Sequence, residues 1–409
     1  MKYFNNIKSC RICSHKKLKL ILDLGNQPAA NNLHKKNEIV KKAPLKLVVC
    51  NHCKTAQLSS TINPKYLFSK YLWVTGTSKG AKSYSKKFYN YCKKRIKANK
   101  FKVFEIACND GTFLKPFEEA NCSVLGIDPA SNIVRNTKKK NIINDFFNFK
   151  KSQEIKKKFK EFDLVFARNV IPHVPNIKSV IKGISNLIEP KLGIGAIEFH
   201  YGSIIQKEIH YDSIYHEHYF YFTILTLSNL LKKYGLFSFD IEKSPISGGS
   251  LVIFFSKQNR TKSKILKSYE KKEFEGKTNS IYKWSEFGNS SRNHSKKLKT
   301  IIEKQNKKNE SKLIAYGASA RSSTLLNFLK INNKHISYIL DKNNLKSNLY
   351  TPGTNLCIKK FDKLKFDFKS TKIILLLAWN FKKEIVSEFK KNSYKGKFLI
   401  PLPKIKIIK

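Results

Sequence analysis

The sequence predicts an α/β chain in three parts, and three observations carry that prediction. Two Cys-x-x-Cys pairs lie within residues 10–53, a strand–turn–helix–strand–acid pattern begins at Phe101, and a similar opening begins again at Lys312. The first marks a small cysteine-rich module; the other two read as the openings of doubly wound, Rossmann-like sheets, the second smaller than the first. Boundaries at 1–75, 76–257 and 258–409 follow, since 409 residues exceed what one ordinary core holds.

A hydrophobic content of 41% with 12% aromatics argues for a globular chain and against disorder. The longest apolar run, Ile373 to Trp379, is strand-sized and far short of the ~20 residues that span a bilayer. The polar stretch Met1 to Ser9 lacks the apolar segment of a signal peptide, so the expectation is a cytoplasmic protein with no membrane partner. A formal charge of +51 would ordinarily point to nucleic acid. Only seven of the 80 basic residues are arginine, however, and the lysines are spread along the whole chain rather than clustered. That distribution reads as a general bias at tolerant surface positions and points away from a nucleic-acid patch, while still favouring small anionic substrates such as sugar nucleotides.

Taken in order, Cys10-Arg-Ile-Cys13 and Cys50-Asn-His-Cys53 are two knuckles whose two-residue gap lets both thiolates of each pair reach one tetrahedral ion. Together they predict a closed four-cysteine zinc site with a structural role. The 36 intervening residues must carry structure of their own. Tyr66 to Ser78 reads as a loop or lid leaving this module, and a helix follows over Ser83–Ala98.

Phe101 to Leu114 is a short apolar strand ending in a tight turn, Glu105-Ile-Ala-Cys-Asn-Asp-Gly111, and Asp128 closes a second strand 17 residues beyond that glycine. An acid at the end of the second strand accepts hydrogen bonds from ribose hydroxyls, and an E-x-x-x-N-D-G turn suits the class I S-adenosylmethionine sheet better than a dinucleotide fingerprint. Glu105, Ala107, Asn109, Asp110, Gly111 and Asp128 are therefore candidate cofactor residues. Asp145 and Phe146, after a third strand, offer an acid and a ring for an adenine, and Ala167 ends a fourth strand that leads to His173.

Between the strand at Gly195–Tyr201 and a helix at Thr226–Tyr234 lies Tyr215-His-Glu-His218, a run of proton-handling side chains at what the strand order makes the ligand edge. The other reading of such a run is solvated loop. Two last strands, near 237–241 and 251–255, complete seven. Helices then cross to the last part, where Tyr316-Gly317-Ala-Ser-Ala-Arg321 turns from strand to helix; it reads either as a phosphate cradle or as tight packing alone.

With these residues in hand, the chain resembles the sugar C-methyltransferases that act on nucleotide-linked 4-keto-6-deoxysugars. The resemblance spans nearly the whole length and rests on the two knuckles, Glu105 to Gly111, Ala167-Arg-Asn-Val, Tyr215 to His218, Ser247-Gly-Gly-Ser250, Tyr316-Gly-Ala-Ser-Ala, Thr351-Pro-Gly353 and Trp379-Asn380. It implies a zinc-binding N-terminal domain, a central S-adenosylmethionine domain and a C-terminal domain that helps hold the nucleotide, with Gly317 and Arg321 as substrate-side candidates. By the same resemblance His218 is the base, Tyr215, Glu217 and His173 line the sugar pocket, and Tyr71 is an aromatic of the linking loop. Ala107 stands where the family commonly has glycine. The expected chemistry is enolisation by His218 held by Glu217, with Tyr215 or His173 on the enolate oxygen. The alternatives are methyl transfer to a non-sugar acceptor, an RNA-modifying or nucleic-acid-binding protein, and an idle scaffold.

Overall fold

The computed structural model describes residues 2–409 apart from 37, 69–73 and 246–247. The N-terminal part is antiparallel: β1 (Phe4–Asn6), β2 (Leu18–Pro28), β3 (Lys42–Cys50), β4 (Ala56–Leu58) and β5 (Ser60–Ile62). β2 and β3 form a long bulged hairpin, with β4 against β3 and β1 against β5. Each knuckle is a tight turn closed by a left-handed residue. Ser14 (φ 62°) donates its N–H to the Cys10 carbonyl, and Lys54 (φ 59°) donates to that of Cys50. Two loops of the same shape thus present two pairs of thiols to one point.

The central sheet contains β6 (Lys102–Ile106), β7 (Ser123–Ile127), β8 (Ile142–Ile143), β9 (Leu164–Arg168), β10 (Ile194–His200), β12 (Phe237–Lys243) and β13 (Ser250–Ser256), in the spatial order β12-β13-β10-β9-β6-β7-β8. β13 alone runs against the common direction of the other six strands. The strands are near-continuous apolar runs because helices cover both faces. The helix Lys79–Lys93 buries Ala81, Tyr84, Phe88 and Cys92, and the helix Ile177–Leu187 buries Ile177, Val180, Ile181, Ile184 and Leu187, both at helical spacing. The first of these starts four residues earlier than the sequence pattern suggests, because Ser78 caps it by accepting from the Ala81 N–H.

The short strand β11 (Phe220–Tyr221) leaves the central sheet and pairs with β4 of the cysteine module. Tyr215 to His218 therefore lies between one domain and an edge strand of another.

Beyond the helices Lys264–Glu275 and Ile281–Asn309 comes a second sheet of β14 (Leu313–Tyr316), β15 (Ile336–Asp341), β16 (Ile358–Lys360), β17 (Ile373–Leu376), β18 (Lys397–Ile400) and β19 (Lys406–Ile408). Its order is β16-β15-β14-β17-β18-β19, parallel except for β19. The 29-residue helix Ile281–Asn309 fastens this sheet to the N-terminal module. Its Gly288 lies so close to β2 that a Cβ there would come 2.3 Å from the Ile21 carbonyl oxygen, and Arg292 donates to the same oxygen at 3.2 Å. Leu22 and Leu45 of the module, Trp284 and Phe287 of the helix, and Leu313 and Leu375 of the second sheet share one continuous core. No helix among the described residues is long and apolar enough to cross a membrane.

Candidate active site

The four thiols converge as the two knuckles require. Cys10 and Cys53 sulfurs are 3.6 Å apart, Cys13 and Cys50 3.5 Å, and all four lie within 4.8 Å of one another. Tetrahedral thiolate coordination at about 2.3 Å needs sulfurs roughly 3.8 Å apart, so the set fits zinc with no open position. Gln57 Nε2 and the Ile12 N–H approach the Cys10 sulfur at 3.1 and 3.4 Å, as donors to a thiolate would. His15 and His52 stack on each other outside the cluster, with ring centroids 5.7 Å apart.

At the carboxyl end of β6 the chain makes a turn in which Ala107, Asn109 and Gly111 all have positive φ (54°, 55° and 74°). Only the last is glycine, so Ala107 holds a left-handed conformation that costs a β-carbon-bearing residue about 1–2 kcal/mol. The turn is held by Asp128 at the end of β7, whose carboxylate accepts from the Asn109 N–H and the Ala130 N–H, both at 2.8 Å. The lid segment docks directly on it: Thr75 N–H reaches Asn109 Oδ1 and Gly76 N–H reaches Asp110 Oδ2, each at 2.8 Å. A Cβ on Gly76 would meet that carboxylate at 2.4 Å, so the lid needs glycine there.

Glu105 is 3% exposed and its Oε2 has no hydrogen-bond partner. Burial raises its pKa well above the usual carboxylate range, offset in part by Arg168. A buried carboxyl short of a counter-charge, beside a turn of backbone N–H groups and a second acid, suits the cationic S-adenosylmethionine. Phe146 is 39% exposed just past β8, and Asp145 beside it is drawn below its ordinary pKa by Lys151 at 2.8 Å. Ala167 lies in the core, its side chain packed within the sheet. The sequence reading passed over the next two polar residues on this edge: Arg168 and Glu198 form a buried pair at 2.8 Å, with Ser244 donating to the same glutamate.

His218 is held by its two nitrogens. Nδ1 lies 3.0 Å from the Ser213 carbonyl, which can only accept, so Nδ1 carries the hydrogen and Nε2 the lone pair. The Tyr215 hydroxyl meets that Nε2 at 2.8 Å. The expected Glu217–His218 contact is absent: Glu217 turns the other way and accepts from the Asn31 N–H and side-chain amide at 3.3 and 3.1 Å. The neighbouring His216, for which the sequence suggested no role, is 1% exposed and bonds the Ala43 carbonyl at 3.2 Å. Both residues are anchors to the N-terminal module. The local backbone explains this: the turn closed by the His218 N–H on the Tyr215 carbonyl brings residues 215 and 218 together and turns the intervening Glu217 away from them.

His173 closes the short helical turn after β9, its ring 4.6 Å from that of His218, and burial pushes its pKa down to about 4. His218 falls well below the ordinary imidazole value, first through burial and then through the charges of His173 and Arg321. Two histidines unremarked in the sequence join them: His200 at the end of β10 stacks on His210 at 5.6 Å. Tyr71 lies outside the described residues.

In the C-terminal sheet, Gly317 (φ 101°) packs where a Cβ would come 2.5 Å from that of Ala378. Asp341 ends β15 as Asp128 ends β7, accepting from the Ala318 and Asn343 N–H groups at 2.8 and 2.9 Å, but Lys346 also binds it at 3.2 Å. Arg321 turns inward to Ser213 and Asp212.

Family models match three successive stretches, described as "Putative zinc binding domain" over residues 10–68, "Methyltransferase domain" over 79–237 and "C-methyltransferase C-terminal domain" over 245–403. The chain is 27% identical to the C-methyltransferase NovU of Streptomyces niveus over 415 residues, covering 98% of this chain and 97% of that protein. Among solved structures, PH0226 of Pyrococcus horikoshii matches 48% of this chain and 98% of its own at 16% identity and a TM-score of 0.38. The magnesium protoporphyrin IX methyltransferase of Synechocystis, with bound S-adenosylmethionine, matches 43% and 79% at 12% identity and 0.33. Neither overlap adds to the strand order above. The three domain matches in sequence and the near-full-length relative show an S-adenosylmethionine-dependent C-methyltransferase with a zinc-binding module ahead of the methyltransferase sheet.

Proposed function

We propose that the acceptor is a nucleotide-linked deoxysugar and that methylation falls on a carbon α to its keto group, with His218 as the base. The observation that carries this reading is the His218 tautomer: a half-buried imidazole whose Nδ1 is held by a carbonyl and whose Nε2 lone pair faces a phenol at 2.8 Å. Carbon becomes a nucleophile only as an enolate, which needs a base for the α-proton and a donor for the developing oxyanion. Tyr215 and His218 supply one of each.

In this scheme the keto oxygen takes the Tyr215 hydroxyl away from Nε2. The freed lone pair accepts the α-proton, and the C–H electron pair becomes the enolate. S-adenosylmethionine supplies the methyl group on a cationic sulfonium, so the enolate pair forms the new C–C bond and the S–C pair stays on sulfur. Removal from water first, and the charges of His173 and Arg321 after it, hold the resting His218 pKa low. A diphosphate-bearing acceptor brings negative charge against that field and restores basicity when substrate is in place. The formal charge of +51 favours the same class of anionic ligand.

Methyl-labelled S-adenosylmethionine and a panel of nucleotide-linked ketosugars test the substrate class. Label appearing as a new C-methyl beside the ketone supports it. Label on nitrogen or oxygen of another acceptor, or on RNA, would overturn it.

A further inference from the structure

In open α/β sheets a ligand sits beyond the carboxyl ends of the strands, at the point where strand order reverses. In the second sheet that point lies between β14 and β17. The side chains that rise from it are Arg321, at the start of the helix Ala320–Leu329, and Trp379, in the turn after β17. Both reach into the central domain.

They meet the three-residue turn Tyr211–Ser213, and every side chain of that turn is held from the C-terminal half. Tyr211 bonds His294 at 3.1 Å, and His294 in turn bonds the Pro401 carbonyl at 2.9 Å. Asp212, 1% exposed, accepts from Trp379 Nε1 at 2.9 Å and lies 3.7 Å from Arg321 Nε. Ser213 Oγ accepts from Arg321 Nε at 3.0 Å. The guanidinium also sits over the Trp379 ring, 5.0 Å from its centroid. The carbonyl of this same Ser213 holds His218 Nδ1.

We infer that the switch point of the C-terminal sheet is a socket for the catalytic turn, and that Asp212, Arg321 and Trp379 are positioning residues that set the tautomer and aim of His218. A buried carboxylate occupies the crevice that an anionic ligand would otherwise fill, and breaking a buried pair of this kind is costly. Asp341, the acid that would serve a ribose on this edge, already holds two N–H groups and the Lys346 ammonium. What the socket fixes is the backbone of residue 213, and through one hydrogen bond it fixes which nitrogen of His218 carries the lone pair. The inference rests on the reading of His218 as base for its catalytic meaning, but the tautomer it predicts is measurable without any substrate.

The test uses the full-length chain labelled with ¹⁵N-histidine. The His218 signals are identified by their loss in His218→Asn, and folding is checked by circular dichroism and S-adenosylmethionine binding. The wild type is expected to show His218 protonated at Nδ1. Arg321→Ala and the milder Trp379→Phe, which removes the indole N–H but keeps an aromatic ring, are expected to mix or invert the tautomer. Arg321→Ala should also lower kcat on a thymidine-diphosphate-linked 4-keto-6-deoxysugar by on the order of 10²-fold, with partial rescue by added guanidinium. An unchanged tautomer in both folded variants would overturn the inference, as would a raised KM with unchanged kcat, which would make Arg321 a substrate ligand. Turnover surviving in His218→Asn would instead remove the base assignment and leave the socket standing.

Discussion

Tyr215 and His218 face each other across a single turn, phenol oxygen 2.8 Å from Nε2 and ring centroids 4.0 Å apart. Neither belongs to a regular element. The segment around them is strung between the cysteine module, which takes His216, Glu217 and β11, and the C-terminal sheet, which takes Tyr211 to Ser213. The site is thus a loop made rigid by its neighbours on both sides.

Replacing Tyr215 by Phe removes the proposed oxyanion donor and leaves the proposed base, His218. Loss of one such donor costs about 10²–10³ in kcat, measured by methyl transfer with S-adenosylmethionine binding unchanged. Activity within twofold of wild type would assign the donor elsewhere, His173 first.

The pH dependence has a fixed sign. Burial and nearby positive charge lower the His218 pKa well below 6.5, so the proposed base is neutral throughout the range above that value. The acid limb of kcat/KM, which reports the free enzyme, should lie below pH 6.5, with a flat profile from there to neutrality. Stability follows the same direction at His216, pushed down to about 4 by burial. Its contribution is fully present above pH 6.5 and is lost as pH falls through 4, amounting to on the order of 3 kcal/mol for this one group. Denaturant midpoints at pH 7 and pH 4.5, compared between wild type and His216→Gln, measure it.

Zinc bears on catalysis through position alone. Cys10→Ser or exhaustive chelation should release the metal, lower the melting temperature and abolish turnover, because the module that carries Asn31 and Ala43 no longer braces Glu217 and His216. Metal analysis alongside activity decides the point, and full turnover without zinc would contradict it.

Ala107→Gly should be neutral to stabilising by up to about 1 kcal/mol: relief of the left-handed conformation is set against the added freedom of the unfolded glycine chain. Asp128→Ala, by contrast, should weaken S-adenosylmethionine binding and loosen the turn it holds through Asn109. Calorimetry distinguishes the two variants.

Much of this was legible in the sequence because it is local. The knuckle spacing, the strand ending at Glu105, and the acid at 128 each encode geometry within a few residues of themselves. The partners of Glu217 and Asp212 were not, because they depend on how distant segments meet: Asn31 is 186 positions from Glu217, and Trp379 is 167 from Asp212. A carboxylate adjacent in sequence to a histidine suggests a pair, yet the turn at 215–218 sends the two side chains to different domains. Asp212, Ser213 and Arg321 carried no motif that would have joined them; a buried polar Tyr-Asp-Ser run just ahead of the histidines was the one available signal.

The most direct test of the central claim is exchange of the acceptor's α-hydrogen for deuterium in D₂O, with S-adenosylhomocysteine in place of the methyl donor. Wild-type enzyme is predicted to catalyse the exchange on a nucleotide-linked 4-keto-6-deoxysugar, and His218→Asn, folded and still binding S-adenosylhomocysteine, to lose it by about 10²-fold or more. Exchange undiminished in that variant would contradict the account.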